Sequence, residues 1–426
     1  MVSKNNEWIL HVDGDAFFAS CEVSRRPDLY NKPVVVGEER GAVVALTYSA
    51  KALGVERGEP IFKLKKRLPQ VVTLSSHFEL YRKICYNLQM IISPQVQRYE
   101  CYSIDECFAV ITGEQDEIKK RVIQIREEVH KKLGITYSFG VAKTKTLAKV
   151  ASKLNKPKGL TFLFTDEEVK DALQKTKVEN VWGIGWATFM RLKAYKIDTA
   201  YDFLKYNLSS VKKETMLDDL TTPHYLTRLE LMGAVQFAVG GQNPLRKSLQ
   251  ATRKFLKNTN SKKIVSSELS RNLENAMHQL RTDKQYTKRV YFYVKSTIKG
   301  RGFSAEIHLP FYTNNEMYVW KHIEQAFDMF EIDNTRLYKS SGIVLTNLQL
   351  EEDIKRDLFN EQEDFIQVNK YITSTIDKIR ERYGFGAISL LSSHESNSRR
   401  EEESMRRHAK DNYEYGLPYP FLGVVS

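Results

Sequence analysis

Cys101-Tyr102-Ser103-Ile104-Asp105-Glu106-Cys107-Phe108-Ala109-Val110-Ile111 sets two adjacent carboxylates directly before an apolar, β-branched run. Neighbours in a strand point to opposite faces, so a strand buried on both sides cannot hold both acids. At a strand start or a tight bend, one acid can aim into a cleft while the other stays beside it. Two acids pressed together repel, and a bound cation is the simplest way to keep both ionised. Taken alone, the pair also reads as a solvated turn. A second stretch repeats the pattern: Trp8-Ile9-Leu10-His11-Val12-Asp13-Gly14-Asp15-Ala16-Phe17-Phe18-Ala19-Ser20-Cys21-Glu22. Here an apolar strand ends on Asp13, followed by Gly14, small residues and two aromatics. Strand-end acids from distant parts of a chain, set side by side, make an oxygen-rich site suited to magnesium. Two such ions can clamp the attacking and leaving oxygens of a phosphoryl transfer.

Composition narrows the partners. The chain has 426 residues and a formal net charge of +12, which favours a polyanion such as nucleic acid. Its length suggests several domains. Cys21, Cys85, Cys101 and Cys107 show no paired metal spacing and nothing that points to an oxidising compartment. No apolar run approaches the length of a membrane span, so a cytoplasmic protein without membrane contact is expected.

The two acid-bearing stretches resemble the catalytic motifs of Y-family (UmuC/DinB-like) translesion DNA polymerases. That resemblance implies a multidomain α+β right-hand polymerase: ferredoxin-like palm, small fingers, helical thumb and a little-finger domain. It implies that Asp13, Asp105 and Glu106, with the Gly14 carbonyl, hold two Mg2+ ions, and that Asp15 is structural. Phe17 and Phe18 are expected at the nucleotide, Phe18 beneath the deoxyribose as a gate against a 2′-hydroxyl. Thr47 to Pro60 resembles the fingers segment, with Tyr48 and Lys51 on the incoming triphosphate. Lys51 stands where many relatives carry Arg, supplying a point charge in place of a bidentate fork. Lys156, in a Lys-Pro-Lys-Gly turn, matches the family lysine that also reaches the triphosphate. The implied partners are primer-template DNA and deoxynucleoside triphosphates, and the implied setting is the DNA-damage (SOS) response.

Other segments are read from their own residues. Leu147, Val150, Ala151 and Leu154 recur at helical spacing, while Lys145, Lys149 and Lys153 form a stripe on another face. No acid occurs between Glu128 and Asp166 to offset it, so a phosphate-facing role is expected. His11 reads as a packed strand residue. On the family resemblance, residues 1–30 and 79–165 are assigned to a palm with helices on one side of its sheet, 31–78 to fingers and 166–241, which reads as all-helical, to a thumb. In the thumb, Val181-Trp182-Gly183-Ile184-Gly185 resembles a helix-hairpin-helix element whose Gly183 and Gly185 let backbone N–H groups approach a phosphate. Residues 242–350 show a βαββαβ order. With no acid from Pro244 to Ile264, that unit is expected to turn a basic open face, including Arg246, Lys247, Arg253 and Lys254, toward duplex DNA. Residues 351–426 read as a charged tail, helical from Phe365 to Tyr383. There Lys355-Arg356-Asp357-Leu358-Phe359 resembles a sliding-clamp peptide, without the usual opening glutamine. A monomer is expected, and low fidelity, since no exonuclease pattern is visible.

Three other functions use similar acids. A nucleotidyl cyclase has a palm-like sheet but leaves the thumb and the βαββαβ unit unexplained. A catalytically inactive DNA-binding scaffold predicts a damaged acid triad, and a two-metal nuclease has no need of triphosphate-facing Tyr48, Lys51 and Lys156. Primer extension separates all of them.

Overall fold

The computed structural model describes residues 6–205, 222–240, 245–331, 333, 335–355, 361–400 and 402. The chain forms two compact units that divide near residue 242.

The first unit opens with β1 (Glu7–Gly14) and α1 (Phe17–Ser24). A small three-stranded subdomain follows: β2 (Val34–Val36), β3 (Ala45–Leu46), α2 (Tyr48–Ala52), α3 (Ile61–Arg67) and β4 (Val72–Leu74). Its order β3-β2-β4 closes over Val35, Val43, Ala50, Ile61 and Leu64. Thr47 caps α2 by accepting from the Ala50 N–H, which fixes where Tyr48 and Lys51 start their helix. The chain then returns through α4 (Phe78–Ile92), β5 (Arg98–Cys101), β6 (Glu106–Thr112), α5 (Gln115–Leu133), β7 (Tyr137–Ala142), α6 (Lys145–Leu154) and β8 (Leu160–Phe162). The five strands order as β5-β6-β1-β7-β8, with β1 at the centre and antiparallel to both neighbours.

Alternation along β1 decides what each face of this sheet meets. Trp8, Leu10 and Val12 pack with α4 and α5, whose stripes include Leu80, Ile84, Leu88, Ile118, Val122 and Ile125. Ile9 and its partners Phe108 and Val110 pack instead on Leu147, Val150 and Ala151 of α6. Helices therefore cover both faces, not the one expected. The stripe on α6 was visible in the sequence, but the surface it covers is formed by strands far away in the chain. A glycine makes the second face possible. A Cβ at Gly140 would stand 2.3 Å from the Ala148 carbonyl and the Ser152 nitrogen, so α6 can lie directly on β7 only over a residue without one. The unit ends with α7 (Asp166–Lys175), α8 (Trp186–Ala194), α9 (Ala200–Lys205) and α10 (Thr222–Leu231), all helical as expected among the described residues.

The second unit reads β9 (Ser248–Thr259), α11 (Lys262–Thr282), β10 (Gln285–Ser296), β11 (Phe303–Thr313), α12 (Glu316–Asp328) and β12 (Tyr338–Leu350). Its sheet runs β11-β10-β12-β9, all antiparallel, with α11 and α12 packed on one face through Leu269, Leu273, Met277, Val319 and Ile323. This is the expected βαββαβ order. The described part of the segment expected as a tail belongs to this unit. Its helix α13 (Glu361–Tyr383) stacks Phe365 on Phe311 and sets it edge-on to Tyr318. Arg380 reaches Glu274 at 3.0 Å and Glu316 at 2.9 Å, all three side chains buried. The clamp-like peptide lies outside the described residues from Arg356 to Phe359.

Candidate active site

β1 ends where β6 begins, with Asp13 directly opposite Glu106. Paired residues of an antiparallel ladder share a face, so both carboxylates point the same way. The Gly14 N–H donates to the Asp105 carbonyl at 2.9 Å, which ties the two strand ends. One oxygen each from Asp13 and Glu106, with one ring nitrogen of His11, lie within 4.8 Å of one another. The Asp105 carboxylate is outside that group and accepts from the Ser103 hydroxyl at 2.5 Å. Burial pushes the Asp13 carboxyl above its ordinary value and Glu106 pushes the same way, against the pull of Lys156. A site that pushes its acid toward neutrality is one that a cation completes.

A cation already sits there. Lys156 donates to Asp13 Oδ1 at 2.5 Å and to the Gly14 carbonyl at 3.2 Å. Asp15, buried behind it, accepts from the Ser138 hydroxyl at 2.7 Å and the Lys158 N–H at 2.8 Å, which anchors the turn that carries Lys156. These oxygens, two of them bridged by an ammonium and with a His11 ring nitrogen beside them, fit a divalent cation.

The lysine stripe of α6 divides. Lys149 pairs with Glu106 at 2.8 Å and lies over the Tyr102 ring, and Lys145 pairs with Glu100 at 2.6 Å. Both are buried, at 8% and 5% exposure, while Lys153 is exposed. The expectation of a uniform phosphate-facing row is corrected for the first two. Their acids come from β5 and β6, some forty residues earlier, where counting charges within the helix could not find them.

Tyr48 lies within the field of Asp13 and Asp15. Burial and the charges of Asp15 and Asp13 push its phenol up to about 12, while Arg57 pulls it down. Arg57 is a neighbour that the sequence reading did not single out. Lys51 follows one turn later on α2 and is exposed. Phe17 is core, 3% exposed, and packs against Tyr81 and Tyr137. Phe18 is only partly buried and stacks on Tyr81, ring centroids 4.4 Å apart at 13°. Tyr81 is held in turn by its hydroxyl, which donates to buried Glu22 at 2.5 Å.

Gly183 has a positive φ of 92°, and a Cβ there would meet Thr227 Oγ1 at 2.6 Å, so packing alone requires glycine. Gly185 precedes α8 as its N-cap, exposed and with open space around it. In the second unit, Arg246 and Lys247 precede β9, and Arg246 pairs with Asp283 at 3.2 Å. Arg253 and Lys254 are consecutive and cannot share a face. Lys254 alternates with Gln250 and Thr252 beside Tyr293, while Arg253 lies on the α11 side within the field of Arg400 and Glu268. The four basic residues therefore do not form the single open face expected.

The impB/mucB/samB family profile matches residues 12–153, and the profile of that family's C-terminal domain matches 246–358. Protein UmuC of Salmonella typhimurium is 30% identical over 313 residues, 71% of this chain and 72% of that protein. The chain belongs to the impB/mucB/samB family. DNA polymerase IV of Clostridioides difficile is 26% identical over 369 residues, 83% of this chain and 97% of the relative. A Y-family DNA polymerase chimera of Dbh and Dpo4 superposes with a TM-score of 0.63 at 23% identity, covering 81% of this chain and all of that one. The insertion ternary complex of Dbh DNA polymerase gives 0.54 at 22% over the same shares. These likenesses establish the Y-family polymerase fold. The impB/mucB/samB match spans Asp13, Tyr48, Asp105, Glu106 and Lys149, and ends three residues before Lys156.

Proposed function

We infer that the protein is a template-directed DNA polymerase of the translesion type, adding deoxynucleotides to a primer 3′ end. Asp13 and Glu106, facing each other at the ends of β1 and β6 with the Lys156 ammonium on Asp13, are the observation that carries this. Asp13, Asp105, Glu106 and the Gly14 carbonyl are the groups that would hold two Mg2+ ions. Those ions supply Lewis-acid activation of the 3′-hydroxyl and charge neutralisation on the departing pyrophosphate.

The chain's own residues do the positioning. Lys156 would turn from Asp13 to the triphosphate if a bound cation neutralised the acids, and Tyr48 and Lys51 bind the same phosphates from the fingers. Phe18, backed by Tyr81, closes the space beneath the sugar. Lys153, Gly185, Arg246, Lys247 and Lys254 contact the primer-template backbone, where charge sets affinity without reading sequence. The protein works as a monomer in the cytoplasm. No helix among the described residues is long and apolar enough to cross a membrane.

The test is extension of a labelled primer on an undamaged template and on one carrying an abasic site. Addition across the abasic site by the protein as it stands supports the translesion reading. Extension that halts one nucleotide before the lesion contradicts it.

A further inference from the structure

His11 lies two residues before Asp13 on β1, on the same face of the sheet. It is fully buried. Its Nδ1 lies 2.7 Å from the Ser152 hydroxyl oxygen. That hydroxyl has one proton and donates it to the Lys149 carbonyl at 3.0 Å. With the hydroxyl proton on that carbonyl, Ser152 accepts from His11 Nδ1–H and the lone pair falls on Nε2. Among the described residues no hydrogen-bond partner reaches Nε2. Yet a ring nitrogen of His11 lies within 4.8 Å of carboxylate oxygens of both Asp13 and Glu106.

A buried polar atom without a partner calls for a specific explanation, and this ring brings one of its nitrogens beside two carboxylates. Lys156 is spent on Asp13 and Lys149 on Glu106, so neither ammonium answers it. A cation placed among the three atoms satisfies all of them. Metal-ligating histidines are commonly fixed by a hydrogen bond from the other ring nitrogen, and here Ser152 supplies that bond. Gly140 lets α6 bring Ser152 close enough to do so.

We propose that His11 Nε2 is a nitrogen ligand of the divalent-cation site at Asp13 and Glu106, giving that site a preference for Mn2+ over Mg2+. The proposal rests on the reading of the two acids as cation ligands and adds a donor of a different chemical kind. Imidazole suits transition metals, whereas Mg2+ takes oxygen ligands and keeps its waters. With His11 beneath the acids, Mn2+ gains a bond that Mg2+ does not use.

The test is Mn2+ binding to the full chain without DNA or nucleotide, followed by pulsed electron paramagnetic resonance. Protein with natural-abundance histidine and protein labelled with 15N-histidine are compared, which separates histidine nitrogen from the lysine amines nearby. The expected result is a 14N coupling on bound Mn2+ that becomes a 15N coupling in the labelled protein and disappears in Glu106→Gln. His11→Gln is expected to weaken Mn2+ by about tenfold or more while Mg2+ changes by less than about threefold. Bound Mn2+ with no coupling that responds to the histidine label overturns the role of His11 and leaves the acid site standing. A coupling that survives in Glu106→Gln places the histidine elsewhere and also overturns it. Absence of Mn2+ binding to the parent protein overturns both readings. The isotope comparison uses the parent protein, so it decides the matter even if His11→Gln fails to fold.

Discussion

Phe18→Ala separates a sugar gate from a packing residue. The ring is partly buried, stacked on Tyr81 at 4.4 Å and edge-on to Phe78 at 5.6 Å. A fully buried Phe→Ala change costs about 3–5 kcal/mol. Half of that burial, with one lost stacking contact, puts the cost here at about 2–3 kcal/mol. Domains hold about 5–15 kcal/mol, so the variant stays folded at room temperature. The effect on sugar choice is larger relative to its parent. A 2′-hydroxyl added beneath the sugar must overlap the ring or displace the nucleotide from its near-attack position. Removing the ring is expected to relax discrimination by about 100- to 1000-fold, which is about 2.7–4.1 kcal/mol of differential barrier. Single-turnover incorporation of dCTP and CTP opposite the same template guanine measures it, with deoxynucleotide addition retained. A folded, active variant whose discrimination stays within threefold of the parent would refute the gate, leaving Phe18 as the lid of the Tyr81–Glu22 packing.

Two further outcomes follow from the second unit. Replacing Arg246, Lys247 and Lys254 with Gln is expected to lower the slope of log affinity against log salt by up to about 2.7, at 0.9 per lost phosphate contact. Arg246, already paired with Asp283, should contribute least, and an unchanged slope in fluorescence anisotropy would mean these residues do not touch DNA. Arg380→Ala removes the cation from buried Glu274, while Glu316 keeps Arg281 at 2.5 Å, and is expected to cost about 3–5 kcal/mol in urea unfolding of the full chain. A loss under 1 kcal/mol would show that α13 is held mainly by Phe365.

The elements legible in the sequence are those whose signal is local. β1 announced itself by an apolar run ending on an acid, and β6 by an apolar run that begins on one. The second unit followed from apolar periodicity alone, as in Leu269, Leu273 and Met277 of α11. What escaped depends on partners far away in the chain. Lys145 and Lys149 looked unopposed because Glu100 and Glu106 lie on other strands. The palm was expected to be covered on one side because nothing near α6 says which sheet face it meets. Arg253 and Lys254 were grouped as one surface although strand alternation, applied to that pair, separates them. His11 looked like packing, and its burial agrees. Its open Nε2 depends on Ser152, which is 141 residues away. The docking of α13 was hidden for the same reason, since Arg380 finds its acids on α11 and α12.

Templated addition by the parent protein and by Glu106→Ala, on four templates that differ only in the base opposite the incoming nucleotide, tests the central claim most directly. The parent is expected to add the complementary deoxynucleotide on each template. Glu106→Ala is expected to add none, while binding the same primer-template with affinity within about threefold, because affinity comes from distant cations. Addition that ignores the template base, or extension by Glu106→Ala close to the parent rate, would contradict the assignment of the β1–β6 strand ends as a polymerase active site.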